Sequence, residues 1–175
     1  MGGASLPFTP GYISKDVIYS GGARTGWSWQ SYRGSDFTYS ANQISPAGNP
    51  STCATITPAG GLFFHCRRCD KAGYRPFEGT KAVSFWIKPR GEVANAANAT
   101  GGATQVLPLK IFIRGESDNY CGTEPRLADL KPAATAAGGW LRFVIPIEGF
   151  NCYSLGDMTH IEWQVGSHRP MTQKG

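Results

Sequence analysis

Apolar and polar residues alternate most cleanly over residues 80–90, TKAVSFWIKPR. In an extended strand Val83, Phe85 and Ile87 point to one side and Ser84, Trp86 and Lys88 to the other, because successive side chains face opposite ways. The first set builds a core; the second meets solvent or a ligand. The same division recurs in three later segments. Residues 105–114 set Leu107, Leu109, Ile111 and Ile113 inward against Lys110, Phe112 and Arg114. Residues 140–147 set Leu141, Phe143, Ile145 and Ile147 against Trp140, Arg142 and Val144, and residues 160–165 set Ile161, Trp163 and Val165 against Glu162 and Gln164.

Shorter signals predict four more strands. They are DVIYS (16–20), residues 36–40, and a hairpin of STCATIT (51–57) with GLFFHC (61–66), closed through Pro58, Ala59, Gly60 and Gly61. The segment at 20–35, SGGARTGWSWQSYRGS, reads as a turn-rich loop carrying Trp27, Trp29 and Tyr32. Residues 91–104 and 133–139 are small-residue loops, and a short helical turn is expected after Cys121 and Pro125. Eight strands, without a 20- to 50-residue repeat or a linker that splits the chain, predict an all-β antiparallel β-sandwich of the jelly-roll kind. It is expected over residues 16–166, between an N-terminal arm (1–15) and a polar tail (167–175).

Composition narrows the class. A chain of 175 residues suits one domain, and 17% charged residues with 23 Gly and 12 Pro fit short strands joined by turns. With 41% hydrophobic residues, including 9 Phe, 7 Tyr and 5 Trp, the chain can bury a core, which excludes disorder throughout. No apolar run is long enough to cross a bilayer, and residues 1–12 lack the charged start and apolar middle of a secretory signal. They read equally as the first residues of a mature or excised domain. Part of the net charge of +5 gathers at Arg67, Arg68, Lys71, Arg75, Lys81, Lys88 and Arg90. That cluster is either a solubilising surface or a patch for uronate- or sulfate-bearing glycans. No nucleic-acid partner is expected, because no RNA-recognition, zinc-finger or helix-turn-helix signature accompanies it.

Five cysteines, Cys53, Cys66, Cys69, Cys121 and Cys152, read as a disulfide framework. Closing the hairpin about Ala59 and Gly60 sets Cys53 opposite Cys66, which proposes a cross-strand bond. A second pair falls among Cys69, Cys121 and Cys152 and leaves one cysteine over. The run His65-Cys66-Arg67-Arg68-Cys69 invites a metal or redox reading, but a structural zinc needs four ligands and the other thiols lie far off in sequence. Asn98-Ala99-Thr100 is a glycosylation sequon in an expected loop and supports secretion.

Taken in order, DVIYS, WSW (27–29), GGLFF (60–64), VSFWIK (83–88), WLRFVIPIEGF (140–150) and HIEWQV (160–165) resemble the galactose-binding-like jelly-roll domains that serve as non-catalytic carbohydrate-binding modules. The likeness spans about residues 16–165. It implies a secreted or cell-wall protein, appended to a larger extracellular chain or acting as a small wall component. In such modules a last acidic strand pairs with the start of the domain and helps hold a structural calcium, here near Asp16. This chain reaches SHRPMTQKG (167–175) instead, so either that strand is missing, leaving an exposed sheet edge, or the boundary is unusual. No cofactor is assigned, and the departure counts against a structural calcium near Asp16 without removing that alternative.

Sugars present apolar C–H faces rimmed by hydroxyls, so their sites need aromatic rings beside amides, carboxylates or guanidinium groups. Trp86, Lys88, Lys110, Phe112, Arg142, Glu162 and Gln164 supply that mixture if the four alternating strands share one sheet face. The competing reading covers Trp86 and Phe112 with a loop and leaves the charges as ordinary surface. Trp27, Trp29 and Tyr32 are an alternative loop site, or core. Two other functions stay open: an adhesive or structural wall protein, and a jelly-roll polysaccharide lyase or hydrolase. Glycoside hydrolysis needs two cooperating carboxylates. Glu116 and Asp118 lie close together but in an expected turn, and His160 and His168 read as structural. No catalytic residue is assigned.

Overall fold

The computed structural model describes residues 17–69, 71, 73–89 and 109–165. The expected arm, Asp16, the Asn98 sequon, the start of the 105–114 strand and the tail lie outside the described residues. Within them the chain is all-β, with nine strands, three short 3-10 turns and no α-helix. The strands are β1 (Trp27–Tyr32), β2 (Asp36–Ile44), β3 (Pro50–Thr55), β4 (Gly61–Cys66), β5 (Ala82–Ile87), β6 (Leu109–Arg114), β7 (Ala134–Ala136), β8 (Trp140–Pro146) and β9 (His160–Val165). All pairings are antiparallel. One sheet runs β1-β4-β9-β6, a second runs β5-β8-β7, and β2 pairs with β3.

The alternation read from β5, β6, β8 and β9 supplies the two inner faces of the sandwich. Ile111, Ile113 and Ile161 from the four-stranded sheet are fully buried and belong to one core with Phe143 and Ile145 of the three-stranded sheet. Phe85 crosses between the sheets to meet the Trp163 ring edge-on, with centroids 5.3 Å apart. The 3-10 turn at Leu127–Asp129 is the helical turn expected there.

Four expectations are corrected. Residues 134–136, expected within a small-residue loop, pair with β8 as strand β7. Residues 27–32 form a strand rather than a loop, because WSWQSY itself alternates: Trp27 and Trp29 join the core while Ser28, Gln30 and Tyr32 take the other face. Gly26 and Gly34, both at positive φ, bound this strand instead of marking a loop through it. DVIYS, in turn, forms no strand in its described part. Residues 18–24 curl on themselves through a Tyr19–Ala23 bridge and an Arg24 N–H bond to Ile18 O of 2.9 Å.

The expected 51–66 hairpin does not form either. β3 pairs with β2, and β4 lies between β1 and β9. The intervening turn closes with Gly60 N–H on Thr57 O, then binds the end of β9 through Ala59 N–H to Val165 O and Val165 N–H to Gly60 O. Gly60 cannot carry a side chain there, since a Cβ would sit 2.2 Å from Ser35 Oγ. Cys53 therefore pairs in register with Thr38, and Cys66 bonds Cys69 three positions on. The second disulfide, Cys121–Cys152, falls within the expected set.

Candidate functional site

The seven residues expected on one face divide between two faces on opposite sides of the sandwich. Trp86 and Arg142 are cross-strand partners on the outer side of β5 and β8. The β5–β8 register ends at Ile87 with Leu141, and Lys88 and Trp140 are the next residues beyond that pair. Lys88 Nζ and Trp140 Cδ1 lie 3.6 and 4.0 Å from the point where a Cβ on Gly138 would stand. Two indole rings and two cations thus alternate on this face, and all four side chains are half-buried. Ser84 and Val144 continue it as another register pair.

Lys110, Phe112, Glu162 and Gln164 occupy the outer side of the four-stranded sheet, where Lys110 pairs with Gln164 and Phe112 with Glu162. They are 7%, 1%, 3% and 4% exposed, so none forms an open platform. The cover comes from residues 120–126, which run along the β6 edge through Cys121 N–H to Ile113 O and Ile111 N–H to Pro125 O. Tyr120 packs its ring on Phe112, and Glu124 takes Lys110 Nζ at 2.5 Å. This segment also shields the β6 edge from further strand pairing. Gln164 donates to Ala59 O.

Across the same face, Tyr32 reaches over Gly61 to donate to Glu162 Oε2 at 3.2 Å. A Cβ on Gly61 would stand 2.6 Å from the tyrosine oxygen, so this approach requires glycine. Arg114 Nε pairs with Glu162 Oε1, and the guanidinium lies 5.5 Å from the centre of the Phe63 ring. Tyr32 therefore belongs to this polar face, whereas Trp29 sits in an aromatic cluster with Tyr19, Phe37 and Phe64. Trp27, Trp29 and Tyr32 cannot act as one loop site.

At the end of this face the register sets His65 directly opposite His160. Their rings stack at 4.1 Å with planes 7° apart. His65 Nε2 donates to Glu116 Oε1 at 2.9 Å. Thr159 Oγ1 donates to the same oxygen at 3.2 Å and lies 2.7 Å from His160 Nδ1. The ionised carboxylate only accepts, so the Thr159 proton goes to Glu116 and His160 gives its Nδ1–H to Thr159. Burial, with the Arg114 charge beside it, pushes His160 down to about 3. It is neutral at physiological pH. Burial pushes the Glu116 carboxyl up, but the His65 hydrogen bond, the two imidazoles and the Thr159 hydroxyl outweigh it and hold it below the ordinary value.

Glu116 stands in the turn after β6, where Ser117 and Asp118 both take positive φ and Gly115 N–H bonds Asn119 O at 2.6 Å. The cluster joins residues up to 95 positions apart: the β4–β9 pairing brings His65 to His160, and the β6–β9 pairing brings the turn that carries Glu116. His65 and His160 each follow a strand-end pattern in the sequence, and nothing local couples them.

A cavity of about 430 Å³ opens elsewhere, lined by residues 123–126 and the end of β8, and includes none of the expected site residues. No family model matches the chain, and no curated protein matches it.

Proposed function

We propose that this protein binds polysaccharide without cleaving it, through the outer face of the three-stranded sheet. The observation that carries this reading is the register pair of Trp86 with Arg142, next to Lys88 and Trp140, which both approach Gly138. Indole faces stack on the apolar C–H surface of a pyranose, while guanidinium and ammonium groups donate to hydroxyl and acid oxygens at its rim. The pair of cations beside the indoles favours uronate- or sulfate-bearing glycans over neutral ones. Two disulfides fit an oxidising extracellular or cell-wall setting. No helix among the described residues is long and apolar enough to cross a membrane. The order of motifs resembling carbohydrate-binding modules points the same way.

The test is binding of oxidised protein to neutral, uronic and sulfated polysaccharides at low and moderate salt, with reducing ends and unsaturated products followed in the same wells. We expect saturable, salt-sensitive binding to the acidic polymers and no product. Trp86→Ala and Arg142→Ala should each weaken binding roughly tenfold, the scale of one good stacking or charge-assisted contact, and leave the thermal transition in place. Product formation would put the protein among the lyases or hydrolases. Absence of both binding and product would favour the adhesive role.

A further inference from the structure

We propose that His65, Glu116 and His160 form a binding site for a divalent transition-metal ion of the zinc class. The site lies on the opposite side of the sandwich from the glycan face and does not depend on it. One ligand atom from each residue lies within 4.8 Å of the other two. A tetrahedral zinc with ligands at about 2.0–2.2 Å sets its donors roughly 3.3 Å apart. His65 Nε2 and Glu116 Oε1 are already 2.9 Å apart; the parallel stack of the two imidazoles sends their lone pairs along parallel planes, so the half-buried His65 ring turns out of the stack to meet the ion while buried His160 stays in place.

The hydrogen bonds orient the donors. His160 spends its Nδ1–H on Thr159, which leaves the lone pair on Nε2 for a metal. Thr159 also fixes Glu116, so one hydroxyl positions two ligands, as partners behind metal-bound histidines do. His65 moves its proton to Nδ1 and turns the freed Nε2 lone pair to the ion, with no net proton lost. Two imidazoles and one carboxylate suit zinc, copper or nickel better than calcium or magnesium, which require mostly oxygen donors. Three protein ligands leave a fourth position for water or another oxygen. The nearby cations have partners of their own, Arg114 on Glu162 and Arg67 Nε on Ser28 Oγ at 3.0 Å.

The disulfide Cys66–Cys69 pins the chain next to His65, and His160 begins β9, so two ligands stand on rigid strand ends. Both disulfides also remove four of the five thiols from competition for the metal.

The experiment titrates tag-free, chelator-treated full chain with Zn²⁺ by calorimetry, with Ca²⁺ and Mg²⁺ as separate arms. One zinc per chain is expected, and none of the hard ions. His65→Gln and Glu116→Gln should abolish binding while the chain still unfolds in one cooperative thermal transition, since Glu116 is exposed and His65 half-buried. Thr159→Val should weaken it roughly tenfold, the usual effect of removing an orienting partner. His168→Gln and Cys53→Ser should leave it unchanged. Failure to bind zinc saturably, binding that survives both ligand substitutions, or loss on changing His168 or Cys53 would each overturn the assignment.

Discussion

The two disulfides should differ in what they contribute, and the difference follows from the loops they close. Cys121–Cys152 spans 31 positions and Cys66–Cys69 spans 3. In the chain-entropy description, the first restricts the unfolded chain by about 3.7 kcal/mol and the second by about 1.6 kcal/mol at 25 °C. Each bond has one well-buried partner, Cys121 at 4% and Cys66 at 2% exposed, so the packing lost on substitution by alanine is similar and largely cancels. The Cys121→Ala/Cys152→Ala double variant should therefore be less stable than Cys66→Ala/Cys69→Ala by about 2 kcal/mol. Urea unfolding measures it: with a slope of about 2 kcal/mol per molar, the midpoints should separate by roughly 1 M. Equal midpoints, or the reverse order, would refute the loop argument and show that native-state contacts at 66–69 dominate. The short bond has a local role to test in the same samples. Losing it should weaken zinc binding at His65 more than losing Cys121–Cys152 does.

Phe112→Ala should cost about 3–5 kcal/mol, the usual price of emptying a buried phenylalanine site, because Phe112 is 1% exposed beneath Tyr120; an unchanged unfolding midpoint would mean that residues 120–126 do not cover that face. In the presence of chelator, acidification should destabilise the protein. A histidine pushed down to about 3 contributes stability that is fully present above its unfolded value near 6.5 and is lost as pH falls toward 3. The slope approaches about 1.4 kcal/mol per pH unit within that window, and Glu116, also held low, adds loss in the same direction at lower pH. Thermal melts from pH 7 to 4 should show the decline, and a His160→Asn variant should flatten it; parallel profiles would remove His160 as the cause.

Face alternation was legible in the sequence, whereas sheet membership was not. Val83, Phe85, Ile111, Ile113, Phe143, Ile145 and Ile161 all occupy the inward positions assigned to them. Their spacing reports only which side of its own strand each residue takes. Whether Trp86 and Glu162 look the same way depends on which strands share a sheet, and that is decided by pairings between residues far apart in the chain. β5 joins β8 and β6 joins β9, so the outward residues of the two pairs diverge. Sequence proximity misled in the same way at Cys53, where a glycine-bearing turn suggested a hairpin but its backbone was claimed by Val165.

The buried polar face explains why its residues looked like surface. Lys110, Arg114, Glu162 and Tyr32 alternate with core residues as solvent-facing side chains do, yet each charge meets an opposite charge or a hydroxyl supplied from another strand or from the 120–126 cover. Burying an unpaired ion is costly, and pairing removes most of that cost. The cover can therefore close over Lys110 and Phe112, while at the His65 end Glu116 reaches solvent from the turn after β6 and bonds the half-buried His65. The outer face of the three-stranded sheet is built differently: Trp86 pairs in register with Arg142, and Lys88 and Trp140 both approach Gly138. The same alternation thus gives two different surfaces. On one, charged groups pair beneath a cover and buried His160 stacks on half-buried His65 at the rim; on the other, aromatic and cationic groups stand together in the arrangement proposed to meet an acidic glycan.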